Sequence, residues 1–101
     1  MVFIRPALPR DVRAISAIVE PYAERGILLA KELVAFYEAV QEFLVAEDNG
    51  QVVGCGALHV MWEDLAEVRT LAVSTDSTGQ GIGRALLEAL LARAQQLDIP
   101  R

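Results

Sequence analysis

At 101 residues and 11.0 kDa the chain has the length of one domain with one core. A hydrophobic content of 53% against 23% charged, with 4 prolines and 7 glycines, excludes a disordered or low-complexity chain. The net charge of −5 argues against a nucleic-acid partner, which needs a basic face. No apolar run approaches the roughly 20 residues that span a bilayer, and no leader-like segment follows a basic start. The expectation is a soluble, cytoplasmic domain with no membrane partner.

Residues 2–5 are β-prone, and Pro6 and Pro9 interrupt the chain just after them. Pro9 suits the first position of a helix whose first turn holds Asp11. Val12, Ile15, Ile18, Val19 and Tyr22 recur at helical spacing, and Pro21 is expected to end or kink that helix. Gly26 marks a break before a second helical pattern with Leu33, Phe36, Tyr37 and Val40 on one face. Then the period changes. Residues 43–47 read as a strand, Asp48-Asn49-Gly50 as a hairpin turn, and residues 51–61 as a long strand rich in small residues. A reversal at residues 62–64 leads into a strand over residues 65–74. Gly79-Gln80-Gly81-Ile82-Gly83 opens a last helix carrying Leu86, Leu87, Leu90, Leu91, Ala94 and Leu97 at helical spacing. The order is β-α-α-β-β-β-α in a single domain over residues 1–101, with Ile99 a candidate strand start.

Charge is uneven along this order. Residues 31–68 hold eight acids and one base, whereas each flanking stretch has one more base than acid. The acidic middle reads as a solvated face or as an attraction for an amine-bearing substrate. The one cysteine, Cys55, excludes an intrachain disulfide. With the one histidine, His59, it also falls short of a structural zinc cage, so no metal is expected. Four residues of strand separate the two by roughly 13 Å, too far for a thiolate–imidazole nucleophile. Cys55 is expected to be core packing.

The glycine run is the most chemical feature. Backbone N–H groups at a helix start lack intrahelical partners, and the helix dipole adds positive potential there. Alternate glycines let an anion approach without a Cβ in the way. The Lys-Ser/Thr of a phosphate-binding P-loop is missing, because Arg84-Ala85 comes next. The dinucleotide fingerprint fails too, since Gly81 to Gly83 is a step of two.

The run from Thr78 through Gly83 to Leu87, after Leu71-Ala72-Val73, resembles the Gln/Arg-x-x-Gly-x-Gly/Ala motif of the GNAT acyltransferases, with Thr78 where Gln or Arg is usual. Gly26-Ile27-Leu28-Leu29, the segments 43–47 and 53–58, and Ala66-Glu67-Val68-Arg69-Thr70 resemble amino-acid N-acetyltransferases of the short N-acetylglutamate synthase type. The resemblance implies an α+β GNAT-like acyl-CoA N-acyltransferase fold: a mixed, mostly antiparallel sheet with helices on both faces. It implies acetyl-CoA as cosubstrate, held by Leu71, Ala72, Val73, Thr78, Gly79, Gln80, Gly81, Ile82, Gly83 and Arg84. Acetyl transfer to the α-amine of an amino acid, glutamate or glutamine, is the implied activity, with arginine biosynthesis its context. Glu67 matches the carboxylate used as general base, and the backbone N–H of Val73 the carbonyl-polarising donor. Lys31 and His59 fall where relatives meet the amino-acid substrate, and Arg69 is a further candidate for binding the substrate carboxylate.

Strand alternation places Glu67, Arg69, Leu71 and Val73 on one face unless a bulge intervenes. A surface ion pair between Glu67 and Arg69 is the plainer reading of those two. If Glu67 is the base, burial should raise its pKa. A domain of this kind continues for another strand, a helix and a hairpin, so residues 1–101 read as a C-terminally truncated domain. Self-association, by interchain strand pairing, is a further expectation. The alternatives are a non-catalytic CoA-binding or assembly module, and an enzyme acting on another amine.

Overall fold

A computed structural model describes residues 1–26 and 32–100. Four strands, β1 (Val2–Pro6), β2 (Phe43–Asp48), β3 (Gln51–Trp62) and β4 (Leu65–Val73), lie in the order β1-β2-β3-β4, every neighbouring pair antiparallel. α1 (Val12–Glu24) and α2 (Leu33–Glu38) cover one face, and α3 (Ile82–Gln96) covers the other. The expected element order is therefore observed. Among the described residues the sheet is wholly antiparallel.

Alternation along β2 and β3 builds a core on each face. Phe43, Val45, Cys55 and Ala57 meet Val12, Ile15, Ile18 and Val19 of α1 and Phe36 of α2. Phe36 and Phe43 meet edge to face with ring centroids 6.0 Å apart. Cys55 is fully buried here, as expected of a packing residue. On the other face Ala46, Val53, Ile82 and Leu86 form the second core.

Two glycines set how closely α3 approaches. A Cβ on Gly54 would lie 2.9 Å from Leu86 Cδ1 and 3.1 Å from Ile82 Cγ2, and one on Gly56 would lie 2.9 Å from Leu90 Cδ1. Gly54→Ala is expected to cost about 1–3 kcal/mol by overpacking, read from the urea midpoint. An unchanged midpoint would show that Leu86 simply turns aside.

Several local expectations are corrected. Pro9 opens a short 3-10 turn, Pro9–Asp11, and α1 proper begins at Val12. Pro21 does not end α1, which runs three residues further to Glu24. Tyr37 is exposed, and the second helical pattern divides into α2 and a 3-10 turn over Val40–Glu42. On α3, Ile82, Leu86 and Leu90 are buried but Leu87, Leu91 and Leu97 face outward. Ile99 does not start a strand among the described residues. Its N–H bonds to the Ala94 carbonyl at 2.9 Å past Asp98 at φ +61°, a left-handed C-terminal cap that buries Ile99 against the helix end.

β1 is fastened to the start of α1 by charge. The Arg5 guanidinium donates to both oxygens of Asp11, at 2.8 and 3.0 Å, and to Glu47 of β2 at 2.9 Å. Asp11 is buried and also accepts the Leu8 N–H at 2.7 Å. Its hydrogen bond with Arg5 holds the carboxyl below its usual pKa, against the opposing effect of burial.

Candidate active site

The register of β3 against β4 changes near the middle of the pair. Cys55 stands opposite Ala72, yet Ala57 stands opposite Arg69, so β4 carries one extra residue there. Thr70 lies inside this bulge with φ +53°, in the left-handed region. The bulge turns the strand over. Leu71 and Val73 pack with the α3 core, whereas Ala72 joins the α1 core. Arg69, opposite Ala57, and Glu67, opposite His59, belong on the α1/α2 side, because directly paired residues share a face. The four residues expected on one face are thus divided two and two.

On the α1/α2 side, Glu67 and Arg69 form an ion pair, both side chains well exposed. Its hydrogen bond to Arg69 lowers the Glu67 pKa, with the Arg69 charge adding to the effect. The rise expected from burial does not occur, because the exposed carboxylate has little desolvation to drive it. His59 sits half-buried beside this pair, its Nδ1 2.9 Å from Oε2 of Glu42. Sequence reasoning passes over Glu42, which reads there as one more acid of the acidic stretch. Lys31 lies outside the described residues.

The other half of the site is backbone. Ser74 N donates to Val53 O at 2.8 Å, so alternation turns the N–H and carbonyl of Val73 away from β3. Tyr22 of α1 reaches that outward carbonyl, its hydroxyl donating at 2.5 Å. Leu71 lies two residues back, next to Thr70 of the bulge. Past β4 a 3-10 turn, Thr75–Ser77, leads to the glycine run. Gly79 and Gly81 hold φ +80° and +78°, and a Cβ on either would meet nothing within 4 Å. Gly81 caps α3, whose first N–H groups have no side-chain cap. That is the cradle an anionic group needs. Gly83 is different: it is already helical, and its Cβ would make ordinary contact with Val73 Cγ2 at 3.6 Å.

The other predicted contacts sort by exposure. Ile82 and Ala72 are buried in the two cores and offer only backbone. Gln80 is exposed, and Thr78 turns its hydroxyl back to the Thr75 carbonyl at 3.5 Å. Arg84 makes an exposed pair with Glu88 at 3.1 Å. A separate open groove of about 730 Å³, between α1, the β2–β3 turn and residues 74–77, is lined by none of the predicted site residues.

Spacing along β4 bears on the catalytic pair. Val73 faces Gly54 and Glu67 faces His59, five residues apart on β3, or roughly 16 Å. Leu71, beside the bulge, is about two residues nearer to Glu67 and His59.

An antiparallel sheet with a bulged fourth strand, an outward backbone edge and a glycine cradle at a helix start define an acyltransferase-like fold and site. Residues 12–101 match the acetyltransferase (GNAT) family, and the chain belongs to it. The chain is 54% identical over 101 residues to an amino-acid acetyltransferase of Mycobacterium tuberculosis, covering 97% of this chain and 58% of that protein. It superposes at a TM-score of 0.92 and 53% identity on a Mycobacterium tuberculosis protein solved in complex with CoA and a second ligand, covering 96% of this chain and 60% of that one. N-acetylglutamate synthase from Neisseria gonorrhoeae, solved with coenzyme A and N-acetyl-glutamate, superposes at 0.94 with 33% identity, over 98% of this chain and 24% of that one. The chain thus spans about three-fifths of the shorter relatives.

Proposed function

We propose that this chain carries the acetyl-CoA half of an amino-acid N-acetyltransferase and transfers acetyl to the α-amine of glutamate or glutamine. The observation that carries it is the open cradle at Gly79 and Gly81, continuous with the outward backbone edge at Val73. The binding of CoA by the relative at 53% identity supports that use of the cradle, and N-acetyl-glutamate in the Neisseria enzyme supports the acceptor. Acetyl-CoA supplies an activated acyl carbon. The protein's part is to hold its pyrophosphate on the α3 N-terminus and its amide-bearing arm along β4.

We assign the N–H of Leu71, rather than that of Val73, to polarise the acyl carbonyl, because it lies nearer the charged side chains. Arg69, with Lys31 outside the described residues, is the group for the substrate carboxylate. Glu67, tied to Arg69, orients that arginine.

Calorimetry with CoA and thiol release with a panel of amino acids test this reading. Binding of CoA, with turnover confined to glutamate or glutamine, is expected. A folded sample that ignores CoA would overturn the reading. CoA binding with no acceptor for acetyl would reduce it to a binding module.

A further inference from the structure

Among the described charged side chains of the site, Glu67 is bonded to Arg69 and held at low basicity by it, which makes it a poor proton acceptor for an ammonium group. Directly across the strand pair stands His59. Its Nδ1 is 2.9 Å from Glu42 Oε2, and the two side chains are equally half-buried, each 34% exposed. A carboxylate accepts hydrogen bonds and cannot donate, so the contact requires a proton on Nδ1 and, in the neutral ring, a lone pair on Nε2. An imidazole is the side chain most often used as a general base. The groups facing it are Glu42 from the 3-10 turn before β2 and Glu67 from β4, with Arg69 beyond.

We propose that Glu42 is a positioning residue that fixes the tautomer of His59, so that Nε2 accepts the proton of the substrate amine. This rests on the acetyltransferase reading above. The α-ammonium gives one proton to Nε2, and its nitrogen forms the C–N bond as the thioester C–S bond breaks. The departing sulfur takes the second proton and leaves as the thiol, the third stays on the amide nitrogen, and the imidazolium returns its proton to water. Glu42 makes no contact with the reacting atoms; it decides which ring nitrogen is free.

His59 is the one histidine of the chain, so its ring nitrogens give a single pair of signals in the 15N-labelled protein. At a pH where the ring is neutral, the unsubstituted chain should show Nδ1 protonated and Nε2 bare. Glu42→Ala should release the ring to exchange between tautomers, and Glu42→Gln, which keeps an acceptor oxygen, should preserve the locked form. An Nε2-protonated ring in the unsubstituted chain, or no change in Glu42→Ala, overturns the positioning role.

In turnover, His59→Gln should lower kcat about 100-fold or more, and Glu42→Ala about tenfold, with KM for acetyl-CoA unchanged in both. A fall confined to KM for the amino acid would make His59 a binding group and overturn the proton-accepting role. Absence of turnover with every amine would defeat the acetyltransferase reading and that role together, while the nitrogen signals still decide the positioning.

Discussion

Asp11→Ala is expected to lower the unfolding free energy by about 3 kcal/mol, the low end of what breaking a buried pair costs. The low end applies because Arg5 is not stranded: its side chain is 20% exposed and it keeps Glu47 at 2.9 Å and the Pro6 carbonyl at 3.2 Å. What is lost is the bidentate contact and the acceptor for the Leu8 N–H, which together fix the turn from β1 into α1. Asp11→Asn separates the two effects, since its amide oxygen can still accept from Leu8 while the charge is gone. The pH dependence comes from the lowered pKa of Asp11 in the fold. The stabilisation is fully present above the unfolded carboxyl value, about 3.9, and is lost as pH falls through the lower folded value. Urea midpoints of the parent and Asp11→Asn should therefore differ most at neutral pH and converge in strong acid. A gap that stays constant down to about pH 2, below the unfolded carboxyl range, would mean that the charge on Asp11 contributes nothing.

That ion-pair cluster marks one limit of what the chain reveals before folding. Arg5 and Glu47 are 42 residues apart and meet only because β1 and β2 pair in the observed register. Local features were legible. Asn49 and Gly50 both take positive φ, +52° and +81°, as an Asn-Gly hairpin turn between right-twisted strands requires. Gly79 and Gly81 take the left-handed conformations that alternate glycines permit. The bulge was not legible. It falls at Thr70, a β-branched residue for which φ +53° is uncommon, and no glycine announces it. That one extra residue decides which side chains of β4 share a face, so the division of Glu67 and Arg69 from Leu71 and Val73 could be read only from the register. Glu42 and His59 were hidden for a similar reason, 17 residues apart across a turn and a hairpin.

Gly81 and Gly83 should respond to substitution in unlike ways, and the larger functional effect belongs to Gly81. Gly81→Val puts a β-branched residue at φ +78°, where an L-residue costs roughly 1–2 kcal/mol. The space around Gly81 is empty, so that cost is conformational and no core contact is disturbed. The fold can bear it or relax the cap. Either outcome spoils the cradle: a retained cap carries two methyl groups where the pyrophosphate would approach, and a relaxed cap turns the N–H groups of α3 away. CoA affinity by calorimetry should fall at least tenfold, about 1.4 kcal/mol or more of binding, beyond any change in stability. Gly83→Ala is the contrasting case. Its backbone is already helical and its Cβ meets Val73 Cγ2 at an ordinary 3.6 Å, so alanine should raise stability by about 0.5–1 kcal/mol. Weak CoA binding by Gly81→Val beside near-normal binding by Gly83→Ala would locate the anion at the left-handed cap. Equal losses at both positions would place it further along the helix, against the first turn of α3.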